Sequence, residues 1–230
     1  MKGVILMNKD LPGIKYTKGI TNPTVDSNNA SYALEFEKDK DYFVILENFV
    51  NFVKNVEKEF RGSIQYKKYV AYIKGTVGLK RCQVHANIEE NDNGSEKLAL
   101  EMHHGPIFTL FDIVSIIVDD QLKRGNRITT FSIANLVAEE HFNNNVQVVM
   151  LCKTCHELVH AGEVTIHYNQ AWGDLTKFLK KYKAGLTPEL FSKLKRYIDM
   201  CKENDAFTND ILRLDKTISR WNDRFDEIYY

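Results

Sequence analysis

Two short spacings that lie far apart constrain this chain most: Cys82-Gln83-Val84-His85 and Cys152-Lys153-Thr154-Cys155. Each is a knuckle, two metal-ligating side chains separated by two residues. Together they offer four sulfur or nitrogen donors, the set that a closed tetrahedral zinc site requires. The knuckles stand 67 residues apart, so one zinc on Cys82, His85, Cys152 and Cys155 obliges the intervening chain to fold back on itself. Thiols clustered in this way bind metal in a reducing compartment more often than they form disulfides, and a cytoplasmic location is expected.

Four of the seven histidines lie beside the knuckles, in Glu101-Met102-His103-His104-Gly105-Pro106 and in Cys155-His156-Glu157-Leu158-Val159-His160. On a helix His156 and His160, at i and i+4, share a face and can grip one ion. Cys155 and His156 are turned about 100° from one another on that helix, so they suit different ions. His103 and His104 sit at an expected strand end, where neighbours point to opposite faces. One of them is expected as a third imidazole ligand and the other as a base, and the spacing does not say which. Glu101 and Glu157 read equally as carboxylates behind the imidazoles and as surface acids.

The rest of the pattern frames these pieces. Apolar residues from Phe43 to Phe60 recur at helical spacing, Gly62-Ser63 breaks them, and Ser63 is placed to cap a second helix. Gln83–Ile88 and Lys97–His103 read as hairpin arms around Asn91-Asp92-Asn93-Gly94. Phe108–Lys123 and Thr130–Phe142 read as helices, with Thr130 as a cap and Asp119-Asp120 as surface acids; His141 reads as capping the end of the second. Val146–Leu151 is short and β-branched, and a helix from Cys152 is expected to stop at Gly162. The C-terminal part reads as helical with a break at Gly185–Pro188, and Trp172, Tyr182 and Trp221 as core. The expected fold class is α+β. Residues 1–80 form an irregular arm plus helices, 81–162 a small metal core with a helical insertion at 107–145, and 163–230 a helical region.

The core segment, residues 80–162, resembles the HNH endonucleases. Leu100-Glu101-Met102-His103-His104-Gly105-Pro106 is similar to that family's first strand motif, and Leu151-Cys152-x-x-Cys155-His156-x-x-x-His160 to its closing helix, as found in phages and mobile elements. The resemblance implies a ββα-metal finger that hydrolyses phosphodiester bonds in DNA. It assigns His103, His156 and His160 to one catalytic divalent ion, Mg²⁺ or Mn²⁺ with Ni²⁺ and Zn²⁺ also suited. It makes His104 the general base and matches Cys82, His85, Cys152 and Cys155 to the zinc-knuckle ligands. The family's middle Asn falls here on Gln147, with Asn145 just upstream, and either is the amide that would orient the base.

Composition adds limits. The chain is 43% apolar and 27% charged with zero formal net charge, which fits a globular protein and gives no global attraction to a polyanion. No apolar run reaches the roughly 18–20 residues of a membrane span. Charge is uneven, however: residues 61–81 carry six cations and no acid, and residues 172–200 seven cations against three acids. These segments are the expected contacts with DNA phosphates. The alternative to a nuclease is a zinc-stapled nucleic-acid-binding or assembly module without catalysis.

Overall fold

The computed structural model describes residues 37–89, 99–204 and 208–228. The irregular arm expected over residues 1–38 lies outside the described residues up to residue 36, as does the turn expected at Asn91–Gly94. Within them the architecture is α+β, with helices packed around one small sheet.

Asp39 caps a 3-10 turn, Lys40–Val44, which leads into α1, Leu46–Gly62. The buried face of α1 is Phe52, Val53, Val56 and Phe60, the stripe that the helical period predicts. Ser63 ends α1 and caps α2, Ile64–Gly75, its Oγ accepting from the Tyr66 N–H at 3.1 Å. Two helices fill the insertion, α3 (Leu110–Lys123) and α4 (Thr130–Phe142). Reciprocal capping boxes open them, Thr109 with Asp112 and Thr129 with Ser132. The cap of α4 is therefore Thr129, one residue before the Thr130 expected from sequence. Both insertion helices pack on α1, so the insertion forms the floor of the hydrophobic core.

Two four-residue strands carry the histidine pair. β1, Glu101–His104, runs antiparallel to β2, Val148–Leu151, with Glu101 opposite Leu151 and His104 opposite Val148. Helix α5, Lys153–His160, follows β2 directly, and Gly162 stops it at φ 76°. On the far side of β2, Val148 and Trp172 exchange both backbone hydrogen bonds, at 2.9 and 2.8 Å. Then come α6 (Leu175–Lys181), α7 (Pro188–Glu203) and α8 (Asn209–Ile228). Thr187 caps α7 and Pro188 occupies its first turn, as the break at Gly185–Pro188 required. Trp172, Tyr182 and Trp221 are all buried.

Three local expectations are corrected. Gln83–Ile88 is not a strand: Cys82 N–H donates to the Ile88 carbonyl and Ile88 N–H to that of His85, each at 2.9 Å, so the knuckle closes as a turn beside an isolated Arg81–Glu89 bridge. Presenting two ligands three residues apart on one side needs a turn, because a strand would send them to opposite faces. Asp120 is not a surface acid. It is fully buried and held by the Arg124 guanidinium through contacts of 2.6 and 3.1 Å, while that guanidinium also donates to the Lys181 carbonyl. Its neighbour Asp119 is pushed up to about 6 by burial. Nor does His141 cap the end of α4: it lies fully buried on the same face as Val137.

Two glycines record close backbone approaches. A Cβ on Gly185 would stand 1.9 Å from the Ile116 carbonyl oxygen in α3. One on Gly173, at φ 116°, would stand 1.9 Å from the Val146 carbonyl oxygen just before β2. Gly173→Ala is therefore expected to cost on the order of 2–4 kcal/mol in urea unfolding. Gly62→Ala, with open space around it, is expected to change stability by less than about 1 kcal/mol.

Candidate metal centres

The β1–β2 pairing and the short helix behind β2 gather the ligand-type side chains into two groups. Cys82, Cys152 and Cys155 present sulfur atoms that lie within 4.8 Å of one another, all buried. His85 joins them, its Nδ1 3.4 Å from the Cys155 sulfur. A tetrahedral zinc with standard bond lengths separates a sulfur and a nitrogen ligand by about 3.5 Å, so the His85–Cys155 spacing is that of two ligands on one ion, while the mutually close set is the three sulfurs. The turn prepares the first thiol for this: the His85 N–H donates to the Cys82 sulfur at 3.3 Å. Burial raises the Cys82 thiol, but donors from the Cys152, His85 and Val84 backbones and from Cys155 outweigh it and hold the group below its usual range. Cys155, buried beside the other two sulfurs, is pushed up to about 12. Metal-free, the cluster thus holds a proton that a bound cation would displace.

The second group is His103, His156 and His160, whose ring nitrogens also lie within 4.8 Å of one another. His103 comes from β1, and the other two from one face of α5 as the i, i+4 spacing predicts. The Nε2 atoms of His156 and His160 stand 3.1 Å apart, close to the roughly 3.0–3.4 Å between imidazole ligands on one ion. Glu101 fixes a tautomer: its carboxylate accepts from His156 Nδ1 at 2.5 Å, which leaves the Nε2 lone pair facing the group. Burial, then the His156, His160 and Arg61 charges, hold His103 down to about 4, so its ring is neutral and competent to ligate at neutral pH. Gly105 gives that ring room, since a Cβ there would approach His103 to 3.3 Å. This group is more open than the thiol cluster, with His160 exposed.

His104 points the other way, as alternation along β1 requires. It is buried and its Nε2 lies 2.8 Å from Nε2 of His141, whose Nδ1–H donates to the Val137 carbonyl at 2.6 Å. With Nδ1 of His141 protonated, its Nε2 must accept, so His104 carries its proton on Nε2. Burial, then the neighbouring His141, Arg61 and His103, keep His104 well below its ordinary value, and burial holds His141 down to about 4. Sequence reasoning missed this pair. The available signal was that His141 continues the apolar stripe of Ile133, Ala134, Val137 and Ala138 in α4.

The two amides are also placed elsewhere. Asn145 donates to Glu140 at 2.6 Å, and that fully buried carboxylate also takes Lys181 at 2.5 Å and the Tyr182 hydroxyl at 2.9 Å. Gln147 is buried with neither side-chain atom hydrogen-bonded. Its carbonyl accepts from the Gly105 N–H at 3.2 Å.

The buried imidazoles have a measurable signature. Both are depressed in the folded state, so the unfolded chain takes up protons first. Stability of metal-free protein is expected to fall as pH drops from about 6.5 towards 4, by up to about 1.4 kcal/mol per pH unit for each imidazole. Urea unfolding at a series of pH values reads this, and a flat profile from pH 7 to 5 would contradict neutral burial.

Comparison with known proteins overturns the endonuclease reading. A family model described as Bacteriophage G278-like virion protein matches residues 17–224, a span that includes both ligand groups and the helical flanks. No match was found among curated proteins or among solved structures. The hydrolase role, with His104 as general base and Gln147 or Asn145 orienting it, is withdrawn. The geometry accords with that correction: His104 is spent on a core hydrogen bond, Asn145 serves Glu140, and Gln147 makes no side-chain bond to either histidine. The chain belongs to the Bacteriophage G278-like virion protein family.

Proposed function

We propose that this protein is a structural or assembly component of the phage particle, with its fold stapled by zinc on Cys82, His85, Cys152 and Cys155. The observation that carries the reading is the family match over residues 17–224. The geometry supports the staple. Zinc would tie a turn that precedes β1 to the helix that follows β2, and a donor set rich in thiolate suits zinc rather than Mg²⁺. His103, His156 and His160 would hold a second divalent ion, and three imidazoles favour a transition metal over Mg²⁺, which prefers oxygen. Association with the virion replaces the cytoplasmic expectation. Among the described residues no helix is long and apolar enough to cross a membrane.

A nucleic-acid contact within this role is proposed first for residues 61–81, which carry six cations and no acid against seven cations and three acids in residues 172–200. Arg61, Lys67, Lys68, Lys80 and Arg81 are exposed there. In residues 172–200 three of the seven cations are engaged within the protein, Lys181 with Glu140, Lys193 with Asp112 and Lys183 over Trp221, while Lys177, Lys180, Lys195 and Arg196 are exposed.

Two experiments test these statements. Particles purified on a density gradient are expected to contain the chain by peptide mass spectrometry, and the recombinant protein to carry about one tightly held zinc. Absence from particles while the chain is abundant in the lysate, or metal-dependent cleavage of plasmid DNA, would overturn the assembly reading. For the DNA contact, the double change Lys67→Glu and Lys68→Glu is expected to weaken duplex binding at least tenfold at low salt and to flatten its salt dependence. Unchanged binding would remove that surface.

A further inference from the structure

The two ligand groups interleave on one helix. Cys152 precedes α5 and Cys155 lies in its first turn, while His156 and His160 project from the same eight residues. Little else secures that helix. Of its residues only Cys155 is buried, Val159 is partly buried against the core, and Cys152 occupies the N-cap without a side-chain cap bond. Its remaining ties among the described residues run through the ligand-type side chains themselves: His156 to Glu101, Cys155 beside His85, and the Cys152 N–H and Cys155 thiol to Cys82. A helix of this length does not hold itself in water. Its placement against the sheet therefore depends on whatever binds its side chains. The other members of both groups stand on separately anchored backbone. Cys82 sits in the turn whose next residue, Gln83, bonds Met150 through both backbone and side chain, and His103 sits in the β1 ladder.

We infer that the two ion sites are thermodynamically coupled through α5: an ion on the cysteine group fixes the helix and preorganises His156 and His160 against His103, and an ion on the histidines tightens the first site in return. This rests on the zinc reading given above. Each ion would stabilise the same packed position of one marginal helix, so each removes an ordering cost that the other would otherwise meet. Linkage requires the two effects to be equal in size.

The test uses the full chain with Mn²⁺ as the probe of the histidine group, because thiolates take this ion poorly, and reads free Mn²⁺ by its electron paramagnetic resonance signal. Zinc-loaded protein is expected to bind Mn²⁺ about tenfold or more tightly than protein stripped of zinc under reducing conditions, in the usual range of site-to-site coupling. Cys82→Ser, which leaves α5 unaltered, is expected to reproduce the weak binding. The reciprocal arm measures zinc affinity by chelator competition with and without Mn²⁺, and His103→Ala is expected to abolish the Mn²⁺ effect while keeping the zinc. That variant also covers the case in which Cys82→Ser fails to fold by circular dichroism, since the β1 ladder is made by backbone atoms. Mn²⁺ affinities that agree within twofold with and without zinc, or zinc affinity indifferent to Mn²⁺, would overturn the coupling. Failure of the wild-type protein to bind zinc at all would instead overturn the staple itself.

Discussion

The antiparallel pairing of Glu101–His104 with Val148–Leu151 is the constraint on which the remaining geometry depends. It is only four residues long on each side, yet it joins segments separated by the whole helical insertion. It also divides the histidine pair. Because side chains alternate across a strand, His103 faces α5 and the metal-type group while His104 faces α4 and His141. A slip of one residue would exchange them and dismantle both arrangements. The register is held from outside the pair: Trp172 bonds β2 on one side, Gln83 bonds Met150, and Gly173 allows the backbone to pass close to Val146.

The insertion does more than bridge the strands. α3 and α4 both pack on α1, and each carries a buried carboxylate that reaches the C-terminal region. Asp120 acts through Arg124 to the Lys181 carbonyl, and Glu140 accepts from Lys181 and Tyr182. Buried carboxylates persist only where donors satisfy them, so these contacts specify where residues 181–185 lie against the helical floor. The same contacts occupy Lys181, one of the cations that the sequence offers as a basic patch at 172–200. Charge counted along a chain says nothing about which charges remain available once the chain folds.

A similar distinction separates the ligand groups from the activity first attached to them. Both groups are physically coherent: donor spacings match ion geometry, Glu101 sets a tautomer, and burial keeps His103 neutral. A coherent ion site is not itself a catalyst. A base must be open to water, and His104 is closed in by His141 and the floor of the core. The family match, to a virion protein and not to a nuclease, points the same way.

The sequence by itself determined the ligand chemistry and the local elements. Knuckle spacings pointed to Cys82, Cys152 and Cys155, whose sulfurs gather in the fold, with His85 beside Cys155; i, i+4 spacing put His156 and His160 on one face, and apolar periods with Ser63, Gly162 and Pro188 located most helices. Those features are local, written within one or two turns of chain. What only the tertiary structure decided is non-local: that His141 meets His104 across thirty-seven positions, that Asp120 and Glu140 lie in the interior, and that Gln83–Ile88 closes as a turn. No short-range pattern encodes such partners, because burial and pairing are settled by whichever distant surface packs against each side chain.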